Sequence, residues 1–174
     1  MNGIIIYRSK YGAAKKYAEW LSGETGFEYV ELKKADIKKV AEYDTIIFGG
    51  GIYAMGIAGL SFLRKNIDKL SGKKIAVYFT CASPYDEDAI EQVKAFNMKD
   101  TLSGIPVFFC RGTFDLASMS FGDRTLCRML MSSVRKKDPA DLAVWERALV
   151  EAGEDKNDWT DKKYIGPIVD YIRQ

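Results

Sequence analysis

Ser9-Lys10-Tyr11-Gly12-Ala13-Ala14 is the stretch whose residue types and spacing best suit a ligand. An apolar run, Ile4 to Tyr7, ends just before it. From Ala13 the apolar spacing becomes helical, with Ala14, Tyr17, Ala18 and Leu21 on one face. A strand that passes through a short turn into a helix leaves the first helical N–H groups without acceptors. Those groups and the helix dipole favour an anion, and the Ser9 hydroxyl adds a polar contact. The turn reads as a phosphate cradle. The plain alternative is an ordinary turn between a strand and a helix.

A second candidate is Gly49-Gly50-Gly51-Ile52-Tyr53-Ala54. Its glycines and Ala54 satisfy a loose G-x-G-x-x-A dinucleotide pattern. The acidic residue expected after the next strand is missing, because that strand ends Tyr78-Phe79-Thr80-Cys81. Gly51 to Gly56 has P-loop spacing, but Ile57 and Ala58 replace the Lys and Ser/Thr that hold phosphate and magnesium. The glycines are instead expected to let the backbone approach a flat ligand, with Tyr53 as an aromatic face. The alternative for Tyr53 is plain packing. Cys81, with Thr80 and Ala82, closes a third side and reads as a small wall residue rather than a nucleophile.

Composition removes several chemistries. Histidine is absent, which excludes Ser-His-Asp and Cys-His nucleophile pairs and HExxH zinc sites. Cys81, Cys110 and Cys127 show no C-x-x-C spacing, so neither a disulfide framework nor a metal site is expected, and a reducing, cytoplasmic compartment fits. A net charge of +2 over 174 residues is too balanced to indicate nucleic acid. No signal peptide is visible. Thr45 to Leu63 carries no charge and is long enough to span a bilayer, but its glycines favour strand, loop and helix start.

The elements that must position these residues alternate. Strands are expected at Gly3–Arg8, Phe27–Leu32 (half-exposed, at an edge), Thr45–Phe48, Lys74–Thr80 and Ile105–Cys110. Helices are expected from Ala13 to Gly23, from Ile57 to Leu70, and from Ser83, with Ser83 as N-cap and Pro84 at the first position. Phe121 to Lys137 reads as a basic amphipathic helix, Asp138-Pro139 as the cap of another, and Thr160 as the cap of a last one that Pro167 would interrupt. Five strand–helix alternations imply an α/β fold with a parallel sheet and helices on both faces, in a single domain over residues 1–174. In such sheets ligands lie beyond the carboxyl ends of the strands at a switch in strand order. Loops after strands one, three and four then offer a phosphate site, an aromatic face and a side wall, which suits FMN.

The residues resemble the flavodoxin family, whose phosphate loop is a [Ser/Thr]-x-[Ser/Thr]-Gly-x-[Thr] pattern after strand one. Ser9, Gly12 and the flanking Lys10 and Ala13 keep its frame, while Tyr11 replaces a small hydroxyl and Ala14 the final threonine. The resemblance implies a flavodoxin-like three-layer fold with strand order 2-1-3-4-5. It also implies an FMN site at Ser9, Lys10, Tyr11, Gly12, Ala13, Ala14, Gly50, Gly51, Ile52, Tyr53, Ala54, Thr80, Cys81 and Ala82. The two departures imply weaker FMN affinity, with Ser9, backbone N–H groups and Lys10 or Lys15 carrying the cradle. The slightly basic chain implies a higher flavin potential than in acidic shuttle flavodoxins.

More closely, Tyr7-x-Ser9-x-x-Gly12, Gly49-x-Gly51-Ile52-Tyr53-x-x-Gly56, Arg111-Gly112 and Trp159-Thr160-Asp161 are similar to flavodoxin-type, quinone-dependent protoporphyrinogen oxidases. This implies electron transfer through a noncovalent flavin, with a redox partner protein or a small organic substrate. The carrier, the oxidase and a non-redox interaction domain all stay open. For an oxidase, Arg111 to Lys137 is the expected substrate region. Residues 121–137 either cover the sheet or meet a membrane surface, a quinone, an acidic partner or the carboxylates of a porphyrin. No side chain stands out for a catalytic proton transfer.

Overall fold

The computed structural model describes residues 2–174. Three apolar strands form the centre: β1 (Gly3–Arg8), β3 (Thr45–Tyr53) and β4 (Lys74–Cys81). β2 (Glu28–Glu31) lies at one edge and β5 (Val107–Arg111) at the other. All five run parallel in the order β2-β1-β3-β4-β5, which is the expected flavodoxin-like arrangement. Strand periodicity then divides the core in two. Ile5, Tyr7, Ile47, Ala76 and Tyr78 face α1 (Ala13–Thr25) and α6 (Gly166–Arg173). Ile4, Ile6, Phe48, Val77 and Phe79 face α2 (Ser61–Asn66) and α3 (Glu87–Asn97).

Several boundaries differ from the sequence expectation. β3 continues through Gly49, Gly50 and Gly51, which therefore lie within the strand rather than in a loop after it. The reason is packing. A Cβ on Gly49 would lie 1.9 Å from the Tyr78 ring, and one on Gly50 would lie 2.5 Å from the Ala58 carbonyl. The two glycines make room for protein, not for a ligand.

The helix expected from Ile57 starts only at Ser61. Ile57 is paired with Ile52 in a short antiparallel return, Gly59 has φ +83°, and Ile67–Leu70 tightens to a 3₁₀ turn. The strand expected over Phe27–Leu32 shortens to β2, because Leu32 opens a 3₁₀ turn. α3 is capped by Asp86, whose carboxylate accepts from Ala89 N–H at 3.1 Å, and not by Ser83. Asp138 caps only a 3₁₀ turn, Pro139–Asp141. The next helix, α5 (Val144–Ala152), begins separately, where the buried Glu146 accepts from Ala143 N–H at 3.1 Å and from Lys137 at 2.6 Å. Pro167 falls in the first turn of α6, where a missing N–H costs nothing, and Asp161 rather than Thr160 caps the 3₁₀ turn before it.

α4 (Phe121–Val134) does not lie over the sheet. It stands beside the carboxyl edge, where Cys127 packs with Phe114, Leu116, Met119, Ala152 and Trp159. Phe121, Leu126, Met129 and Leu130 stay exposed. The bland expectation of a sheet-covering helix is therefore corrected. A ribbon of Thr113–Phe114 with Asn157–Asp158 ties this late region to the end of β5. No helix among the described residues is long and apolar enough to cross a membrane, and Thr45–Leu63 is divided among strand, return and helix start.

Tyr78 lies over Gly49 and its hydroxyl donates to the Ala14 carbonyl at 2.6 Å. Gly49→Ala is expected to lower stability by about 3 kcal/mol, at the top of the usual overpacking range. Urea unfolding checks this, and an unchanged midpoint would show that Tyr78 can move aside.

Candidate functional site

The carboxyl ends of β1, β3, β4 and β5 surround one cleft of about 280 Å³. Each wall follows from local structure. After β1 the chain turns through Ser9–Gly12. Gly12 has φ 95°, a left-handed conformation that a residue without Cβ adopts freely, and its N–H donates to Ser9 Oγ at 3.1 Å. The first intrahelical bond runs from Lys16 N–H to the Gly12 carbonyl at 3.0 Å. The N–H groups of Ala13, Ala14 and Lys15 therefore precede any intrahelical acceptor.

The second wall is Gly51, Ile52 and Tyr53, and the third is Thr80, Cys81 and Ala82. A fourth wall comes from beyond β5: Gly112, Thr113, Phe114 and Met119, with Asp123, Leu126 and Cys127 from α4. The Gly112 N–H donates to the Cys81 carbonyl at 2.7 Å, so the third and fourth walls are joined directly.

The polar end of the cleft is a cluster. Lys10 Nζ and the Tyr11 hydroxyl both donate to the Asp123 carboxylate. Those bonds hold the Asp123 carboxyl below the usual carboxylate range and raise Lys10. Lys10 Nζ also lies 5.3 Å from the Tyr11 ring centre and 5.8 Å from that of Tyr53. Burial raises the Tyr53 phenol, so it stays neutral. The Cys81 thiol is raised chiefly by burial, as is that of Cys127. Neither has the character of an activated nucleophile.

Residues 4–141 match the family model described as a flavodoxin domain. This chain belongs to the flavodoxin family. No curated protein matches it. Among solved structures, it is similar to the two-electron reduced flavodoxin of Megasphaera elsdenii, with 22% identity over 62% of this chain and 82% of that one, at a TM-score of 0.47. It is also similar to a WrbA-like flavodoxin from Agrobacterium tumefaciens, with 18% identity, 71% and 87% coverage and a TM-score of 0.46. A flavoprotein of Lactobacillus acidophilus in complex with FMN shows 19% identity, 63% and 91% coverage and a TM-score of 0.43.

In this flavodoxin-family chain, most of the residues expected around a ligand line the cleft: Ser9, Lys10, Tyr11, Ala13, Ala14, Gly51, Ile52, Tyr53, Thr80, Cys81 and Ala82. Three do not. Gly12 shapes the first turn without lining the cleft, Gly50 packs against Ala58, and Ala54 lies at the tip of the return after β3. Lys15 pairs with Glu19 at 3.5 Å on the exposed side of α1, so Lys10 is the lysine at the site. The fourth wall was expected only as a substrate region for an oxidase. Its signal was available, since Gly112 follows the last parallel strand at the same sheet edge as Ser9 and Cys81.

The fourth wall is fastened to α1 by ion pairing. Asp158, in the ribbon, meets Lys16 Nζ at 2.8 Å. Burial alone would raise its carboxyl, but the bonds from Lys16 and from the side chain and N–H of Thr160 outweigh that and lower it to about 2. A lowered folded-state value means stability present above the unfolded value and lost as pH falls towards the folded one. Asp158→Asn should therefore unfold more readily at neutral pH, modestly because the pair is half-exposed. The difference should vanish as pH falls from 3.8 to about 2. Unfolding curves across that range test it, and a difference that persists at the acid end would remove Asp158 as the cause.

Proposed function

We propose that this chain holds one FMN noncovalently in the cleft and passes electrons through it. The observation that carries the reading is the convergence of the Ser9–Gly12 turn, the Gly51–Tyr53 strand end and the Thr80–Ala82 strand end on one cleft of a flavodoxin-family chain. The residues present fit the cofactor. The leading N–H groups of α1, with the helix dipole behind them, suit the phosphate. Tyr53, Phe114, Met119 and Leu126 offer apolar surface to a planar ring. The cleft's 280 Å³ lies at the lower edge of the roughly 300–1,000 Å³ usual for small-molecule pockets.

When bound, flavin supplies the redox chemistry itself. The chain's residues bind, orient and exclude water. Asp123 stands beside the phosphate turn but is already paired with Lys10 and Tyr11, so it adds little free negative charge there. That pairing also uses the nearest cation. With Tyr11 and Ala14 in place of hydroxyl residues, the cradle depends on backbone donors and the Ser9-shaped turn. Purified protein should therefore be yellow or become so on adding FMN. Its Kd should be about micromolar, near 8 kcal/mol of binding free energy, by quenching of flavin fluorescence. No quenching at millimolar FMN would end this reading.

A second reading, an oxidase that passes electrons from an organic substrate to a quinone at a membrane surface, is favoured by α4. Phe121, Leu126, Met129 and Leu130 are exposed, the first to 85%, and Leu126 also reaches the cleft. Arg135, Lys136 and Lys137 follow at the end of the helix. An apolar face bordered by bases suits an anionic bilayer surface. The protein should sediment with anionic liposomes at low salt and release at high salt, and Met129→Glu should abolish this. The absence of binding at low salt would leave the soluble carrier. Anaerobic reduction by protoporphyrinogen followed by reoxidation with a quinone would separate oxidase from carrier.

A further inference from the structure

The strand end that presents Tyr53 is followed by an unusual turn. β3 reverses at Ala54 and Met55 and returns at Gly56–Ile57, pairing Tyr53 with Gly56 and Ile52 with Ile57. Both central residues have positive φ, 45° and 70°. Two-residue hairpin turns of this hand are dominated by Asn and Gly, because a Cβ disfavours the left-handed region. Here both positions carry side chains, so something outside the turn must hold it.

Asn97 does so. It is the last residue of α3, it is buried to 5% exposure, and it does not line the cleft. Its Nδ2 donates to the Met55 carbonyl at 2.7 Å and to the Val93 carbonyl at 2.8 Å. Its Oδ1 accepts from the Ile57 N–H at 2.8 Å. Its own backbone carbonyl accepts from Arg64 at 2.9 Å, which anchors the end of α3 against α2. A reversed carboxamide would set an oxygen against two carbonyls and an NH₂ against an N–H, so the orientation is determined.

We propose that Asn97 is a positioning residue for the flavin site: its carboxamide holds the left-handed Ala54–Met55 turn and so fixes Tyr53 at the rim of the cleft. The inference rests on the FMN reading above. It assigns a role at the cleft to a side chain that does not reach it. Removing the carboxamide strips both the Met55 carbonyl and the Ile57 N–H of a buried partner, and the turn then relaxes towards backbone conformations that Ala and Met prefer.

The test has an arm without ligand and an arm with FMN. In Asn97→Ala, amide hydrogen exchange at Ile57 should rise about tenfold, the equivalent of one buried hydrogen bond, while Ile47 and Val77 in the central strands keep their protection. FMN affinity should fall by about tenfold. Adding Ala54→Gly and Met55→Gly, which accept positive φ without a Cβ, should restore most of that affinity but not the missing bonds.

Asn97→Asp serves if Asn97→Ala does not fold. It keeps an acceptor for Ile57 N–H but sets an oxygen against the Met55 and Val93 carbonyls in place of the donor, and the glycine pair should again restore most of the lost affinity. Unchanged Ile57 exchange, or an affinity loss that the glycines do not recover, would overturn the proposal. If the unaltered protein takes up no FMN, the flavin reading falls separately, while Ile57 exchange still decides whether Asn97 holds the turn.

Discussion

Much of this structure depends on how Tyr78 crosses Gly49. The ring starts on β4, passes over a residue of β3 that has no side chain, and reaches the Ala14 carbonyl in the first turn of α1. A buried phenol needs a partner, and burial holds this one neutral as a donor. Meeting that need sets the height and rotation of α1 above the sheet, and with them the position of the Ser9–Gly12 turn. Tyr17, one turn further along α1, makes a second fastening. Its hydroxyl donates to the Arg111 carbonyl at 2.5 Å and accepts from Asp161 N–H at 3.1 Å. Two tyrosines in the core on one side of the sheet thus link the first helix to β4, to the last strand and to the C-terminal region.

The cleft is built in two tiers. Its first three walls continue directly from the buried central strands β1, β3 and β4. The fourth is held by weaker means: a two-residue ribbon, an exposed ion pair and stacking of Arg111 on Trp159, 4.5 Å from guanidinium to ring centre. The rear is thus continuous with the sheet, and the front is the part held by the fewest contacts. The two tiers meet at the polar end of the cleft, where Asp123 of the front wall accepts from Lys10 and Tyr11 of the first turn.

The sheet and its strand order were legible because β1, β3 and β4 are continuous apolar runs, and few other structures bury such runs on both faces. The first turn was legible for a similar reason: polar residues and Gly12 fall between a strand pattern and a helix pattern. Gly49 and Gly50 were misread, since absence of a side chain looks the same in sequence whether the space is taken by a ligand or by Tyr78 and Ala58. Ser83 and Thr160 lost their caps to Asp86 and Asp161 a few residues on, and Asp138-Pro139 begins only a single 3₁₀ turn, because local chemistry does not set how far a helix continues. Asn97 and Glu146 were invisible as buried groups. Their burial is settled by partners distant in the chain or by a local turn, not by any pattern around them.

Cys81 and Cys127 stand on two walls of the same cleft, close to where electrons would move. Oxidation of a cysteine begins with its thiolate, and burial keeps both in the thiol form. The property that disfavours them as nucleophiles also disfavours their oxidation. If the cleft holds the proposed flavin, walls whose thiols stay protonated would be slow to acquire a sulfenic acid or a cross-link, and the shape of the cleft would outlast the chemistry carried out inside it.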